Sequence, residues 1–277
     1  MFPIKQAWLI IAHNEYAVLQ RLVSMLDTSE SDFYIHFDKK VKKIPQVVVK
    51  HGQLIILEHK IDVRWGTVSQ IEVELLLLRT AIEHGPYEHY HILSGTHLPL
   101  VSVSELLDFY NANHGKEIVR FWPEDPGDAD FKLRRYHFPI KNFKNGHPLR
   151  RHLCQLIWRV VVRFQKILGI RHYKRDVFRK TDQWLSLTER SAKYLTANRS
   201  RILRKYRFSL CGDEYFVASE LLTSGLGFVL QDVPNLLYVR FIKESPESIS
   251  LDFYSELKEF GFIWGRKFTT NNVDRLG

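Results

Sequence analysis

Asp213 and Glu214 stand side by side in Cys211-Gly212-Asp213-Glu214-Tyr215-Phe216, where a predicted helix over 213–222 begins. A carboxylate in such a place can take the proton from an attacking hydroxyl group. It also suits the positive end of a helix for purely electrostatic reasons. Taken alone, the residues leave both readings standing. A second acidic string, Asp128-Ala129-Asp130, follows a predicted strand, where paired carboxylates can hold a divalent cation. Hard cations need several oxygen ligands, and this string continues the Pro- and Gly-rich run Pro123-Glu124-Asp125-Pro126-Gly127. A surface turn is the preferred reading there. Ser94-Gly95-Thr96 does not fit the Gly-x-Ser-x-Gly elbow of a serine hydrolase, and that chemistry is rejected.

These residues need a scaffold, and its pattern is legible. Ala7 to Ala12 is a continuous apolar run, as a strand buried on both faces requires. Further strands are predicted at 32–37, 54–57, 90–93 and 117–121. Helical spacing marks 16–26 and, most strongly, 69–82. Alternating strands and helices predict an α/β sheet, with ligands at the carboxyl ends of the strands. His13, Asp38 and Ser94 fall at such ends. Asp38 can accept hydrogen bonds from a ribose or a base edge, or simply close a turn. Gly66, after Trp65, permits close backbone approach to a ligand or makes a turn. Trp184 in the predicted strand 183–187 suits a sugar face or the core. Residues 123–146 read as polar and turn-rich, 149–170 and 188–195 as helices, 236–242 as a strand and 251–259 as the last helix. No linker divides the chain. One domain is expected, with 1–122 as a nucleotide-binding half and 123–277 as an acceptor and catalytic half.

The 277 residues carry 40 Lys and Arg against 31 Asp and Glu, a net charge of +9. Such an excess suits an anionic membrane, a nucleotide diphosphate or a nucleic acid. No nucleic-acid-binding signature accompanies it, and that class is excluded. The basic residues Arg150, Arg151, Arg159, Arg163, Lys166, Arg171, Lys174 and Arg175 stud an apolar segment. Such a helix can lie on a membrane or cover the core as a surface helix. Two distant cysteines form no disulfide framework or zinc pattern. With no signal-peptide pattern and no apolar run long enough to span a bilayer, a cytoplasmic location is expected, or one on the inner membrane face.

Several strings together resemble one family. They are Ile11-Ala12-His13-Asn14, Ile35-His36-Phe37-Asp38-Lys39-Lys40, Val63-Arg64-Trp65-Gly66 with Ser69-Gln70, and Leu93-Ser94-Gly95-Thr96-His97-Leu98-Pro99-Leu100. Gln183-Trp184-Leu185-Ser186-Leu187, Asp213-Glu214-Tyr215-Phe216 and Gly265-Arg266-Lys267-Phe268 complete the set. In order and spacing the chain resembles the core-2/I-branching β-1,6-N-acetylglucosaminyltransferases, glycosyltransferase family 14, in a compact bacterial form. The resemblance implies a GT-A-like mixed sheet flanked by helices and an inverting reaction. The implied donor is a UDP-sugar, with GlcNAc expected, and no metal or other cofactor is required. The implied acceptor is a carbohydrate or lipid-linked glycan of a surface polysaccharide. It makes Glu214 the catalytic base, with Asp213 as its neighbour; Gly212 stands where the family commonly has Pro. Arg240 and Lys267 match the family's diphosphate-binding pair, with Arg266 and Lys243 as the nearest alternatives. Asp38, His13, Trp65, Gly66, Ser94 and Trp184 are expected to line the substrate site.

Overall fold

The run from Gln6 to Ala12 forms strand β1, and every residue of it is buried. Ala7, Leu9 and Ile11 pack into one core layer, and Trp8, Ile10 and Ala12 into the other. That two-sided burial is why the run is apolar without alternation. The computed structural model describes residues 5–144, 147–242 and 245–273; Lys243 lies outside them.

Along the chain, β1 is followed by α1 (Tyr16–Leu26), β2 (Ser31–Phe37), β3 (Gln53–Ile56), α2 (Ser69–Ile82), β4 (Tyr90–Ser94) and β5 (Leu98–Pro99). Next come α3 (Val103–Ala112), β6 (Glu117–Val119), α4 (Pro126–Leu133), α5 (Pro148–Ile167), β7 (Ser186–Leu187), α6 (Glu189–Ala197) and α7 (Arg199–Tyr206). A 3-10 turn (Gly212–Glu214) leads into α8 (Phe216–Leu222). The chain then forms β8 (Leu230–Asp232), β9 (Leu237–Val239), β10 (Phe241–Ile242), β11 (Ser245–Pro246), α9 (Leu251–Glu259), β12 (Trp264–Arg266) and α10 (Thr270–Val273).

The main sheet has seven strands in the order β3-β2-β1-β4-β7-β6-β8. The pairs from β3 through β4 are parallel, β7 runs antiparallel to both its neighbours, and β6 pairs β8 in parallel. This is the mixed α/β sheet expected, in one domain consistent with a GT-A-like fold. Strands from the second half of the chain complete the sheet begun by the first. A smaller sheet, β5-β12-β9, packs with α1, α3 and α9 in the second core layer. It carries the segment around Arg266 to the carboxyl end of β1.

Three differences from the sequence reading bear on the site. Residues 126–133 are a helix, not a turn. Asp125 caps it, accepting from the amides of Gly127 and Asp128 at 2.9 and 3.0 Å, and Pro126 occupies its first turn. Pro, Gly and Asp mark turns, but the same residues also start helices. Asp213 and Glu214 lie in the 3-10 turn before α8 rather than in its first turn. The strand expected over 236–242 is broken at Arg240, between β9 and β10.

Candidate functional site

A cleft of about 340 Å³ opens between the segment before β7, the turn around 211–214 and strands β9 to β12, with Glu214 and Asp213 in its wall. Trp65, Trp122, Lys180, Trp184 and Arg266 line it too. Three segments clamp the turn that bears the carboxylates. The Cys211 amide donates to the Gly66 carbonyl at 3.0 Å, the Leu210 amide to Lys132 at 2.9 Å, and the Thr181 amide to Glu214 at 2.8 Å. Cys211 adopts the left-handed conformation. At Gly212 a Cβ would lie 2.4 Å from the Ser209 hydroxyl and 3.1 Å from the Tyr206 ring, so the packing leaves no room for a side chain at this position of the turn.

Glu214 is half-buried. Its Oε2 accepts a hydrogen bond from Lys132 at 3.0 Å and lies 3.3 Å from the Lys180 ammonium. Oε1 makes no hydrogen bond to a described residue. One carboxylate oxygen is therefore oriented while the other stays open to a hydroxyl in the cleft. Burial depresses the Lys132 ammonium, but Glu214, with Cys211 and Asp128, outweighs it and holds Lys132 above the usual lysine range. Asp213 is buried. It accepts from Gln70 Nε2 at 3.0 Å, and its Oδ1 has no partner among the described residues. Burial first, and the charge of Glu214 next, push its carboxyl up to about 7. Behind it, Glu74 is fully buried in α2 and takes a hydrogen bond from Gln183 at 2.8 Å. Burial, then Asp213, hold Glu74 well above the usual carboxylate range.

Asp128 and Asp130 project from α4 to different partners. Asp128 Oδ2 accepts from Tyr215 at 2.6 Å and from Lys180 at 3.0 Å, with Lys132 at 3.2 Å. Asp130 is held by Arg135 and Arg171, each at 3.1 Å. The two carboxylates are thus engaged by separate sets of cations. Among the described residues no group of three or more His, Cys, Asp or Glu is placed to hold a metal ion.

The other expected residues fall in different places. Trp65 and Trp184 line the cleft. Trp184 has His97 against its ring edge, with centroids 5.0 Å apart, and the Arg266 guanidinium 5.1 Å from its ring centroid. It serves core and cleft together. Gly66 has φ +72, and its carbonyl anchors Cys211, so it positions the turn that bears Glu214. Asp38 is buried and staples its own strand end. It accepts from the Lys40 amide at 2.8 Å, the Lys40 ammonium at 2.7 Å and the Val63 amide at 3.1 Å. His13 is exposed beyond β1, within electrostatic reach of Asp38, Lys267 and Arg266. Ser94 is buried, bonded to Thr96 at 2.7 Å, and does not line the cleft.

Arg240 is the clearest departure. Its side chain is 69% exposed, pairs with Glu247 at 3.2 Å and lines a neighbouring cleft with Tyr238 and Phe253. Its chain neighbours Val239 and Phe241 line the Glu214 cleft, and side chains on an extended backbone alternate. Arg266 occupies the Glu214 cleft instead. Its Nε has no hydrogen-bond partner among the described residues, and burial, against the pull of Asp182, brings its guanidinium down to about 10. It remains a cation at neutral pH, presented to the cleft. Gln70, which stood in one of the family strings without an assigned role, also belongs to the site, as do Lys132 and Lys180, which carried no local signal; isolated polar residues are common on any surface.

The family model described as Branch, Core-2/I-Branching enzyme, matches residues 6–225. That span includes Glu214 and every strand of the main sheet except β8, and it stops short of Arg240, Arg266 and Lys267. No curated protein matches the chain. Family membership implies a nucleotide-sugar donor and a carbohydrate acceptor, for which a cleft walled by a carboxylate, cations and tryptophans is chemically suited. The chain belongs to the Core-2/I-Branching enzymes and is a glycosyltransferase.

Proposed function

We propose that this transferase moves N-acetylglucosamine from UDP-GlcNAc to a hydroxyl of a surface glycan, with inversion and without a metal ion. The acceptor oxygen attacks the anomeric carbon as Glu214 takes its proton, and the UDP leaves with the electrons of the broken bond. Negative charge grows on the diphosphate as that bond breaks. Cations already fixed in the cleft stabilise it without reorganising. We assign this role to Arg266 in the cleft and Lys267 beside His13, in place of the pair Arg240 and Lys267. The observation that carries the reading is a clamped Glu214 sharing one cleft with a guanidinium whose Nε has no hydrogen-bond partner among the described residues. The engagement of Asp128 by Tyr215 and two lysines supports a metal-free route over one through Asp128 and Asp130.

The test is UDP release and product formation across a panel of UDP-sugars with a glycan acceptor, with and without EDTA. UDP-GlcNAc should be the preferred donor, and EDTA should leave turnover unchanged. Glu214→Gln keeps the shape and loses the base, so turnover should fall by about two orders of magnitude or more. Near-normal turnover in that variant removes Glu214 from the mechanism. Loss of transfer in EDTA with recovery in manganese removes the metal-free route.

A further inference from the structure

Helix α5 buries little of itself. Cys154, Val162 and Gln165 face the protein, and Trp158 reaches into a small cluster with Phe131 and Phe143. The opposite side is apolar and open. Leu149 is 74% exposed, Val160 61% and Ile167 73%, and Leu153, Leu156 and Phe164 continue the same stripe. These positions recur at intervals of three and four, so they form one face of the helix. Arg159, Arg163 and Lys166 flank it. From residue 148 to 175 there are eight Lys and Arg residues and no Asp or Glu.

At the carboxyl end of α5 the stripe meets a basic cleft of about 400 Å³, lined by Arg134, Arg135, Lys166, Arg171 and Lys174 with Asp130 as the acid among them. Arg135 is 6% exposed, and two of its guanidinium nitrogens, Nε and Nη1, have no hydrogen-bond partner among the described residues. A buried guanidinium with unmatched donors suits a phosphate oxygen.

We infer that the exposed face of α5 and the basic cleft at its end dock this chain on an anionic lipid bilayer, the stripe entering the interface and the cleft holding a lipid phosphate. Charge selects this occupant. A second copy would bring two acid-free basic rims together, whereas an anionic leaflet attracts them. The stripe supplies the apolar half of an interfacial helix and the arginines its headgroup half. No helix among the described residues is long and apolar enough to cross a membrane, so attachment is to one surface. The docking surface rests on exposure and charge alone. Its consequence for the acceptor rests on the proposed reaction. Lys144 lines the Glu214 cleft, its ammonium 3.9 Å from the Trp65 ring centroid, and His147, the cap of α5, follows three positions later. A docked α5 therefore keeps the chain that lines the cleft within a few residues of the leaflet, where a lipid-held glycan would present its hydroxyl.

Sedimentation of the full chain with phosphatidylcholine vesicles, and with vesicles containing phosphatidylglycerol, tests this directly. Binding is expected on the anionic vesicles, weakening as salt rises. Arg159→Glu with Arg163→Glu should reduce partitioning roughly tenfold or more. Leu153→Ser with Val160→Ser should reduce it while leaving the circular dichroism spectrum and transfer to a soluble acceptor unchanged, which separates docking from catalysis. Failure to bind anionic vesicles, or equal binding to both kinds, overturns the inference. So does a dimer in solution that the Leu153→Ser and Val160→Ser pair dissolves. Displacement by inorganic phosphate beyond that caused by chloride at equal ionic strength assigns the basic cleft to a free anion and overturns the headgroup assignment.

Discussion

Two adjacent carboxylates divide their tasks through their surroundings. Glu214 keeps contact with the cleft and is flanked by Lys132 and Lys180, whereas Asp213 is buried with Gln70 as its hydrogen-bond partner. Burial and the neighbouring charge raise the Asp213 carboxyl to about 7, well above its value in an unfolded chain. Between those two values the native state holds a proton that the unfolded state has lost. Stability therefore falls as pH rises through that window. Glu74, raised by burial and by Asp213, acts in the same direction. Asp213→Asn should flatten the decline in melting temperature between about pH 4 and 7. A variant whose melting profile keeps the wild-type slope would show that Asp213 is not the group that titrates. Asp213 was legible as a site residue because it stands beside Glu214; its protonation was not, because that depends on α2 packing behind it.

Elements deliver these residues through their ends. The carbonyl of Gly66, just before α2, anchors Cys211, and Gln70 in the first turn of α2 reaches Asp213. Gly66 sits at φ +72, and a Cβ there would stand 3.0 Å from Leu210 Cδ1. Gly66→Ala should cost roughly 1–2 kcal/mol through the left-handed backbone and that contact. It should also lower turnover, since the turn bearing Glu214 hangs from this carbonyl. Thermal melting with a kinetic assay checks both; unchanged values in each would dismiss the clamp. Helices α1, α2 and α9 have the bounds that their apolar spacing predicts. Helices α3, α4 and α7 were not predicted, and neither was α10, which follows the helix expected to be the last. α3 begins with a complete capping box, Ser102 and Glu105, that was available in the sequence. α7 begins directly after α6, so its start is hidden within one polar run.

Across the molecule, the second sheet decides which cations share the cleft with Glu214. β12 pairs with β9 and β5, and that pairing sets Arg266 in the cleft while Arg240 faces the adjacent one. Arg266→Ala should remove about 2 kcal/mol of transition-state stabilisation, roughly thirtyfold in kcat/KM. Arg240→Ala should change it only a few-fold by comparison. The reverse order of effects would return the diphosphate to Arg240. UDP should raise the melting temperature of the wild type more than that of Arg266→Ala, since a ligand binding only the folded state stabilises it.

The strands, the main helices, the carboxylate pair and the family were readable because each is written in short stretches of chain. Apolar runs report two-sided burial, spacing reports one face of a helix, and a motif string reports local chemistry. Three other matters awaited the tertiary structure. Asp128 could not be placed from its own string, because its partners Lys180 and Tyr215 lie far along the chain. Helix α5 read better as a surface helix over the core than as a membrane face, and only the tertiary structure shows that its apolar stripe is uncovered. Arg240 and Arg266 are both basic residues at the margins of short strands, and composition does not distinguish them. One residue's difference in strand alternation sends one into the cleft and the other away from it, and that parity is fixed only when β9 and β12 pair.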